Sequence, residues 1–158
     1  MTQKQKNKCP GGSVGIIFYI PVPNEEGRIL LLERKTHPLG WAPPAGHVDG
    51  NRPEKQADAE ALEEVGLIIT KKELILGPIE LMNECSRSKD SDEKYNSHDW
   101  WVYKALDWKG WTPESQEPDK IGEVMWFNKS EIMSEDGKML LDLDPAWKEL
   151  FPMIWDKI

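Results

Sequence analysis

Residues 40–67 read Gly40-Trp41-Ala42-Pro43-Pro44-Ala45-Gly46-His47-Val48-Asp49-Gly50-Asn51-Arg52-Pro53, then Glu54 to Val65, then Gly66-Leu67. The first half is too rich in Gly and Pro for a regular element, and a tightly folded loop is expected from Thr36 to Gly50. Pro53 sits where the first turn of a helix tolerates it, Glu54 to Val65 carries helix formers throughout, and Gly66 follows as a C-cap. On that helix Glu60, Glu63 and Glu64 fall within an arc of roughly 100°. Leu62 and Val65, with the small Ala61, point largely to the other side. The polar face is purely acidic, and only Lys55 or Gln56, near the start, stand where they could moderate it. Like charges at i,i+4 destabilise a helix by a few tenths of a kcal/mol. A hard divalent cation with oxygen ligands offsets that repulsion directly, whereas the same stripe alone is also what a plain solvated face looks like.

Upstream, Ser13 to Val22 is apolar and β-branched and ends at Pro21, Pro23 and Asn24, which predicts a strand and a turn. Arg28 to Glu33 predicts a second strand, joined to the first as a hairpin through Asn24–Gly27. Downstream, Leu67 to Glu84 predicts strands with a turn at Gly77-Pro78, and Cys85 to Ser97 an exposed loop. Asp99 to Trp108 is strand-like, Gly110 to Asp119 is a loop, and Glu123 to Phe127 is a short strand. Asn128 or Ser130 caps a short helix, and Pro145 to Ile158 forms a last amphipathic helix that Pro152 is expected to kink or end early. Strands and helices mix without strict alternation, which implies an α+β fold with a mixed sheet flanked by helices.

The chain has 158 residues, the length of one ordinary domain, with 39% hydrophobic and 30% charged residues. That is a globular balance, and no apolar run approaches the roughly 20 residues of a membrane helix. Met1 to Gly12 is polar and lysine-rich, without the apolar stretch of a secretory signal, and reads as a flexible lead-in to a single domain over 13–158. Cys9 and Cys85 are too few and too isolated for a disulfide framework or a zinc site, so a reducing cytoplasm is the expected compartment. A net charge of -8 argues against a general nucleic-acid binder. It does not exclude a small phosphate compound, provided a divalent metal sits between the two sets of negative charge.

The stretch from Gly46 to Leu67 resembles the box of the Nudix hydrolase family, of MutT-like type. Gly46 matches the box glycine, Glu60 the glutamate of its Arg-Glu pair, Glu63 and Glu64 its Glu-Glu pair, and Gly66-Leu67 its end. The Trp-x-x-Pro lead-in fits as well. Two positions depart from the pattern: Asn51 stands where the box has its first glutamate, one residue early, and Ala59 where it has arginine. In the family these two residues brace the loop and helix. Loss of one would strand a partly buried charge at a cost of several kcal/mol, whereas loss of both leaves none. The pair of changes reads as a neutral swap that preserves the metal face and alters its bracing.

The resemblance implies a Nudix-type α/β/α sandwich and cleavage of a nucleoside-diphosphate-linked substrate, with a (d)NTP or modified nucleotide favoured. Mg²⁺, or alternatively Mn²⁺, would be held by Glu60, Glu63 and Glu64, with the backbone carbonyl of Ala45 a further candidate. Glu63, Glu64 and a general base carry the catalysis. Glu117 and Glu123 are the candidates for that base outside the box. Glu117-Pro118-Asp119-Lys120 followed by Trp126 is similar to a segment of family members that act on nucleoside triphosphates, which is why those substrates lead. His47 is a candidate for contact with base or phosphate. Of eight tryptophans, Trp41 and Trp126 are candidates for stacking on a nucleobase. Trp100 and Trp101, adjacent on one strand, must face opposite ways, one of them away from the core or into another layer. The Cys85 to Ser97 loop is expected to border the site, as a lid or as plain surface, and a homodimer is left open. Two other classes remain: a nucleotide-binding or regulatory module that has lost turnover, and an unrelated acidic protein whose glutamates only face solvent.

Overall fold

Two strands at the centre set the architecture. β1 (Ser13–Val22) runs parallel to β6 (His98–Lys109), in register from Ser13 opposite Trp100 to Phe18 opposite Ala105. The structure, a computed structural model, describes residues 8–9, 11–36, 39–48, 50–82, 97–110 and 112–158. β5 (Ile68–Leu81) lies antiparallel on the outer edge of β6. On its other edge β1 pairs first with β4 (Ala45–His47) and then with β2 (Glu25–Arg34). β2 in turn carries β3 (Gly40–Ala42) and β7 (Ile121–Asn128). The result is a seven-stranded mixed sheet.

The strand alternation fills two cores, one on each face. Val14, Ile16 and Phe18 of β1, with Leu30 and Leu32 of β2, turn to one side and pack against Ala57, Ala61 and Val65 of α1 (Pro53–Val65). Ile17, Ile29 and Leu31 turn to the other side and meet Ala146, Trp147, Leu150 and Phe151 of α3 (Pro145–Ile154). Near-continuous apolar runs such as Ile29 to Leu32 are what a sheet covered on both faces requires. The sandwich expected from the sequence is therefore present. Trp100 and Trp101 divide between its layers, Trp100 in the α3 core and Trp101 against the α1 core.

Several local expectations need correcting. Within the Thr36–Gly50 loop the chain forms the two short strands β3 and β4, because neighbours distant in sequence supply the pairing that local propensity lacks. No turn occurs at Gly77-Pro78: β5 runs through it, and register shifts between Leu74 and Leu76 and between Leu76 and Ile79 absorb the break. The β1–β2 turn is tighter than expected, with β2 starting at Glu25 after Asn24 at φ 63°. Leu62 is 51% exposed, not on the buried face of α1, whereas Glu64 is only 6% exposed. The helix is rolled so that Ala57, Ala61 and Val65 meet the sheet, which carries Glu64 inward with them. α3 continues past Pro152 to Ile154 before tightening into a 3₁₀ turn, and Asn128 precedes the single-turn α2 (Lys129–Ile132) as its cap.

Of the expected lead-in, Lys8 and Cys9 lie against the domain, the amide of Cys9 donating to the Ser97 carbonyl at 2.7 Å. The Cys85 to Ser97 loop, Ser97 apart, lies outside the described residues. No described helix is long and apolar enough to cross a membrane.

Gly66 closes α1 in the left-handed region at φ 73°, its amide donating to the Leu62 carbonyl at 3.1 Å and that of Leu67 to the Ala61 carbonyl at 3.3 Å. A Cβ there would lie 3.1 Å from Nε2 of Gln116. Gly66→Ala is expected to destabilise the protein by about 1–2 kcal/mol, a fall in Tm of roughly 2–8 °C, measurable by calorimetry.

Candidate active site

The acidic face of α1 opens onto a cleft of about 270 Å³ at one end of the sheet. Glu60, Glu63 and Glu64 line it, with Ala45, Gly46 and His47 of β4 beside them. Arg34 and Thr36 at the end of β2, His98 and Trp100 at the start of β6, Glu117 and Lys120 before β7, and Asp144 and Trp147 of α3 and its cap complete most of the lining. Parallel pairing of β1 with β6 explains part of this, since it sets Ser13 opposite Trp100. Pairing of β1 with β4 sets the same Ser13 opposite His47.

Gly46 leaves room for the Glu60 carboxylate in its present position. A Cβ at this position would stand 2.1 Å from Oε1 of Glu60, so the carboxylate occupies the place a side chain would take. Gln56 holds that same Oε1 from the helix side, its Nε2 donating at 2.7 Å. One turn on, Glu64 accepts a 2.7 Å hydrogen bond from the Ala45 amide. The loop before β7 is tied to the end of the same helix: the amide of Gln116 donates to the Glu64 carbonyl at 3.0 Å and that of Glu114 to Val65 at 3.2 Å. This docking delivers Glu117 to the cleft, with its Oε2 3.6 Å from Nζ of Lys120.

The electrostatics follow from burial. Desolvation, moderated by the Gln56 hydrogen bond and reinforced by the charge of Glu63, pushes the Glu60 carboxyl up to about 7. Desolvation and then the neighbouring Glu60 push Glu64 up to about 8, against the lowering effect of the Ala45 amide. Arg34 acts on both in the opposite direction, and its Nε lies 3.9 Å from Oδ2 of Asp144. Burial also holds His98 below the ordinary histidine range, which keeps its imidazole neutral near pH 7. One buried carboxylate, Glu64, and one half-buried, Glu60, with Glu63 on the rim, form a set of hard oxygen donors whose charge a divalent cation would stabilise. Among the described residues no three His, Cys, Asp or Glu side chains converge as a preformed cage. Any cation would therefore share its coordination with water or substrate oxygens, as Mg²⁺ ordinarily does.

The cleft brings together most of the residues singled out from sequence: Glu60, Glu63, Glu64, Ala45, His47 and Glu117 all line it. Trp41 and Trp126 do not. Trp41 packs edge-on to Phe127 with ring centroids 5.0 Å apart, and Trp126 packs against the α1-side core. The aromatic walls are instead Trp100 and Trp147, T-shaped at 5.6 Å. Glu123 is exposed on β7, away from the cleft lining. Sequence reading missed Arg34, Thr36, His98, Asp144 and Trp147; only the N-cap pattern Asp144-Pro145 gave a local signal, realised as a 2.8 Å bond from the Ala146 amide. If Glu117 handles a proton, Glu117→Gln should lower kcat about 10²-fold and Glu123→Gln should leave it unchanged, as steady-state kinetics would show.

An acidic helix and a Gly-cradled carboxylate at one end of a two-cored mixed sheet define a hydrolase of the Nudix class, enzymes that act on phosphoanhydride bonds. The chain belongs to the NUDIX domain family, whose profile matches residues 14–150. Its fold is similar to that of a MutT NUDIX hydrolase from Burkholderia pseudomallei, with a TM-score of 0.64 and 23% identity over 96% of this chain and 99% of that one. It is similar also to an Ap4A hydrolase from C. elegans, at 0.58 and 18% over 96% and 99%. The NUDIX domain of Shewanella oneidensis NrtR, solved in complex with ADP ribose, matches at 0.59 and 16% over 97% and 90%. No curated protein sequence matches the chain.

Proposed function

We propose that the protein is a metal-dependent pyrophosphohydrolase that cleaves a nucleoside-diphosphate-linked substrate, a (d)NTP or modified nucleotide first among them. The observation that carries this reading is the placement of a buried Glu64 and a half-buried Glu60 in the wall of a cleft that Glu63, Glu117, Arg34 and Lys120 share. Glu60, Glu63 and Glu64, with the Ala45 carbonyl as a further donor, would hold Mg²⁺ or Mn²⁺, which supplies charge neutralisation at the phosphates and a more acidic water. Arg34 and Lys120 draw the diphosphate into an otherwise acidic cleft. Glu117 takes the proton of the attacking water as the bond from phosphorus to the bridging oxygen breaks. Trp100 and Trp147, 6% and 1% exposed, back the cleft as packed core side chains, and His47 and His98 offer polar contact to the group beyond the diphosphate. The lining by Glu117 and Lys120 supports the triphosphate preference, and we place the activity in the cytoplasm.

A nucleotide-binding or regulatory module with impaired turnover is the second reading, favoured by the changed box positions Asn51 and Ala59. The experiment that separates the two is product analysis on NTPs, dNTPs, ADP-ribose, NADH and nucleotide sugars, with Mg²⁺ or Mn²⁺. Hydrolysis of a compound in that panel, lost in Glu63→Gln, supports the enzyme. Binding without turnover on any of them supports the module.

A further inference from the structure

Where the family box has a charged pair, this chain builds a directed chain of amides. Nδ2 of Asn51 donates to Oε1 of Gln56 at 2.9 Å, and Nε2 of Gln56 donates to Oε1 of Glu60 at 2.7 Å. Gln56 is 8% exposed, so its amide is fixed by these two partners with little competition from water. The orientation is self-consistent: with Asn51 satisfying the Gln56 oxygen, the Gln56 nitrogen must face the carboxylate. Glu60 is thereby held between the amide on one side and the backbone of Gly46 on the other. Of its two oxygens, Oε1 is taken by Gln56.

We infer that Asn51 and Gln56 are positioning residues for metal binding: their amide relay fixes the rotamer of Glu60 so that its second oxygen is presented to the cation, in place of the ion pair that the box positions Asn51 and Ala59 no longer supply. The inference rests on the metal-binding reading of Glu60. Partners of this kind orient a ligand before the metal arrives, and their removal typically weakens metal affinity about 10–100-fold. Because Asn51 reaches Glu60 only through Gln56, its effect must vanish when Gln56 is gone, which a structural contribution of two separate residues would not do.

The test is direct Mn²⁺ binding, read from the electron paramagnetic resonance signal of the free ion, on the full chain and on Gln56→Leu, Asn51→Ala and the double variant. The relay predicts affinity about 10-fold or more weaker in Gln56→Leu, a smaller loss in Asn51→Ala, and no further loss in the double variant. Asn51 is exposed, so Asn51→Ala keeps its fold and reports even if Gln56→Leu does not. Wild-type Mn²⁺ affinity in Asn51→Ala and Gln56→Leu, or strictly additive losses, would overturn the relay while leaving the metal site intact. No Mn²⁺ binding by the wild type would overturn the metal reading itself, and the relay with it.

Discussion

Glu64→Gln is expected to abolish turnover and at the same time stabilise the metal-free protein. On the proposed function Glu64 would help hold the cation, and its loss would remove several kcal/mol of transition-state stabilisation, a fall in kcat of roughly 10³-fold or more. The gain has a separate cause. Glu64 is 6% exposed, and burial holds its carboxyl protonated to about pH 8. Ionising it in place therefore disfavours the fold by an amount on the order of a few kcal/mol. Glutamine is neutral and keeps an oxygen to accept the Ala45 amide. Calorimetry without metal at pH 8 should show a Tm several degrees above wild type, and at pH 5, where Glu64 is protonated in any case, little or no difference. A lower Tm at pH 8 would mean that the carboxylate is a structural requirement of the loop and not a site for charge.

The second large effect is the coupling of pH, metal and stability in the wild type. Glu60 and Glu64 have folded-state values of about 7 and about 8, both above the value near 4.3 expected in the unfolded chain. Between about pH 4.5 and 8 the native protein therefore holds protons that the unfolded chain has released, and its stability falls as pH rises. The contribution is fully present below the unfolded value and is lost on passing through the folded values. A divalent cation held by these carboxylates, as proposed, would require their ionised form, and would therefore remove this penalty and release protons on binding. The melting temperature without metal should drop from pH 5 to pH 8, and the increment produced by millimolar Mg²⁺ should grow over the same interval. Thermal melts with and without Mg²⁺ at four or five pH values would show this. An increment independent of pH would point to binding that leaves these two carboxyls untouched.

Much of the fold was legible because it rests on local pattern. The limits of β1, the start of α1 at Pro53 and its stop at Gly66 could be read from sequence and stand in the structure. The box glycine and the three helix glutamates were legible for the same reason. What sequence could not show depends on contacts between distant residues. β3 and β4 exist only because β2 and β1 pair with them. Leu62 and Glu64 exchange their expected environments because the roll of α1 is set by the sheet beneath it. Arg34, His98, Asp144 and Trp147 share one cleft although up to 113 positions separate them in sequence, and no periodicity announces that. The role of Gln56 escaped for a smaller reason: its spacing of four from Glu60 was visible, but its partner Asn51 lies outside the helix and had to be seen in place.

The most direct test of the central claim is the rate of phosphate or pyrophosphate release from a hydrolysed nucleotide, measured against Mg²⁺ concentration in wild type and in Glu63→Gln and Glu64→Gln. The account predicts a rate that is absent in chelator, rises to saturation with Mg²⁺, and is lost in both variants. Release that persists in chelator, or that survives both substitutions, would contradict it.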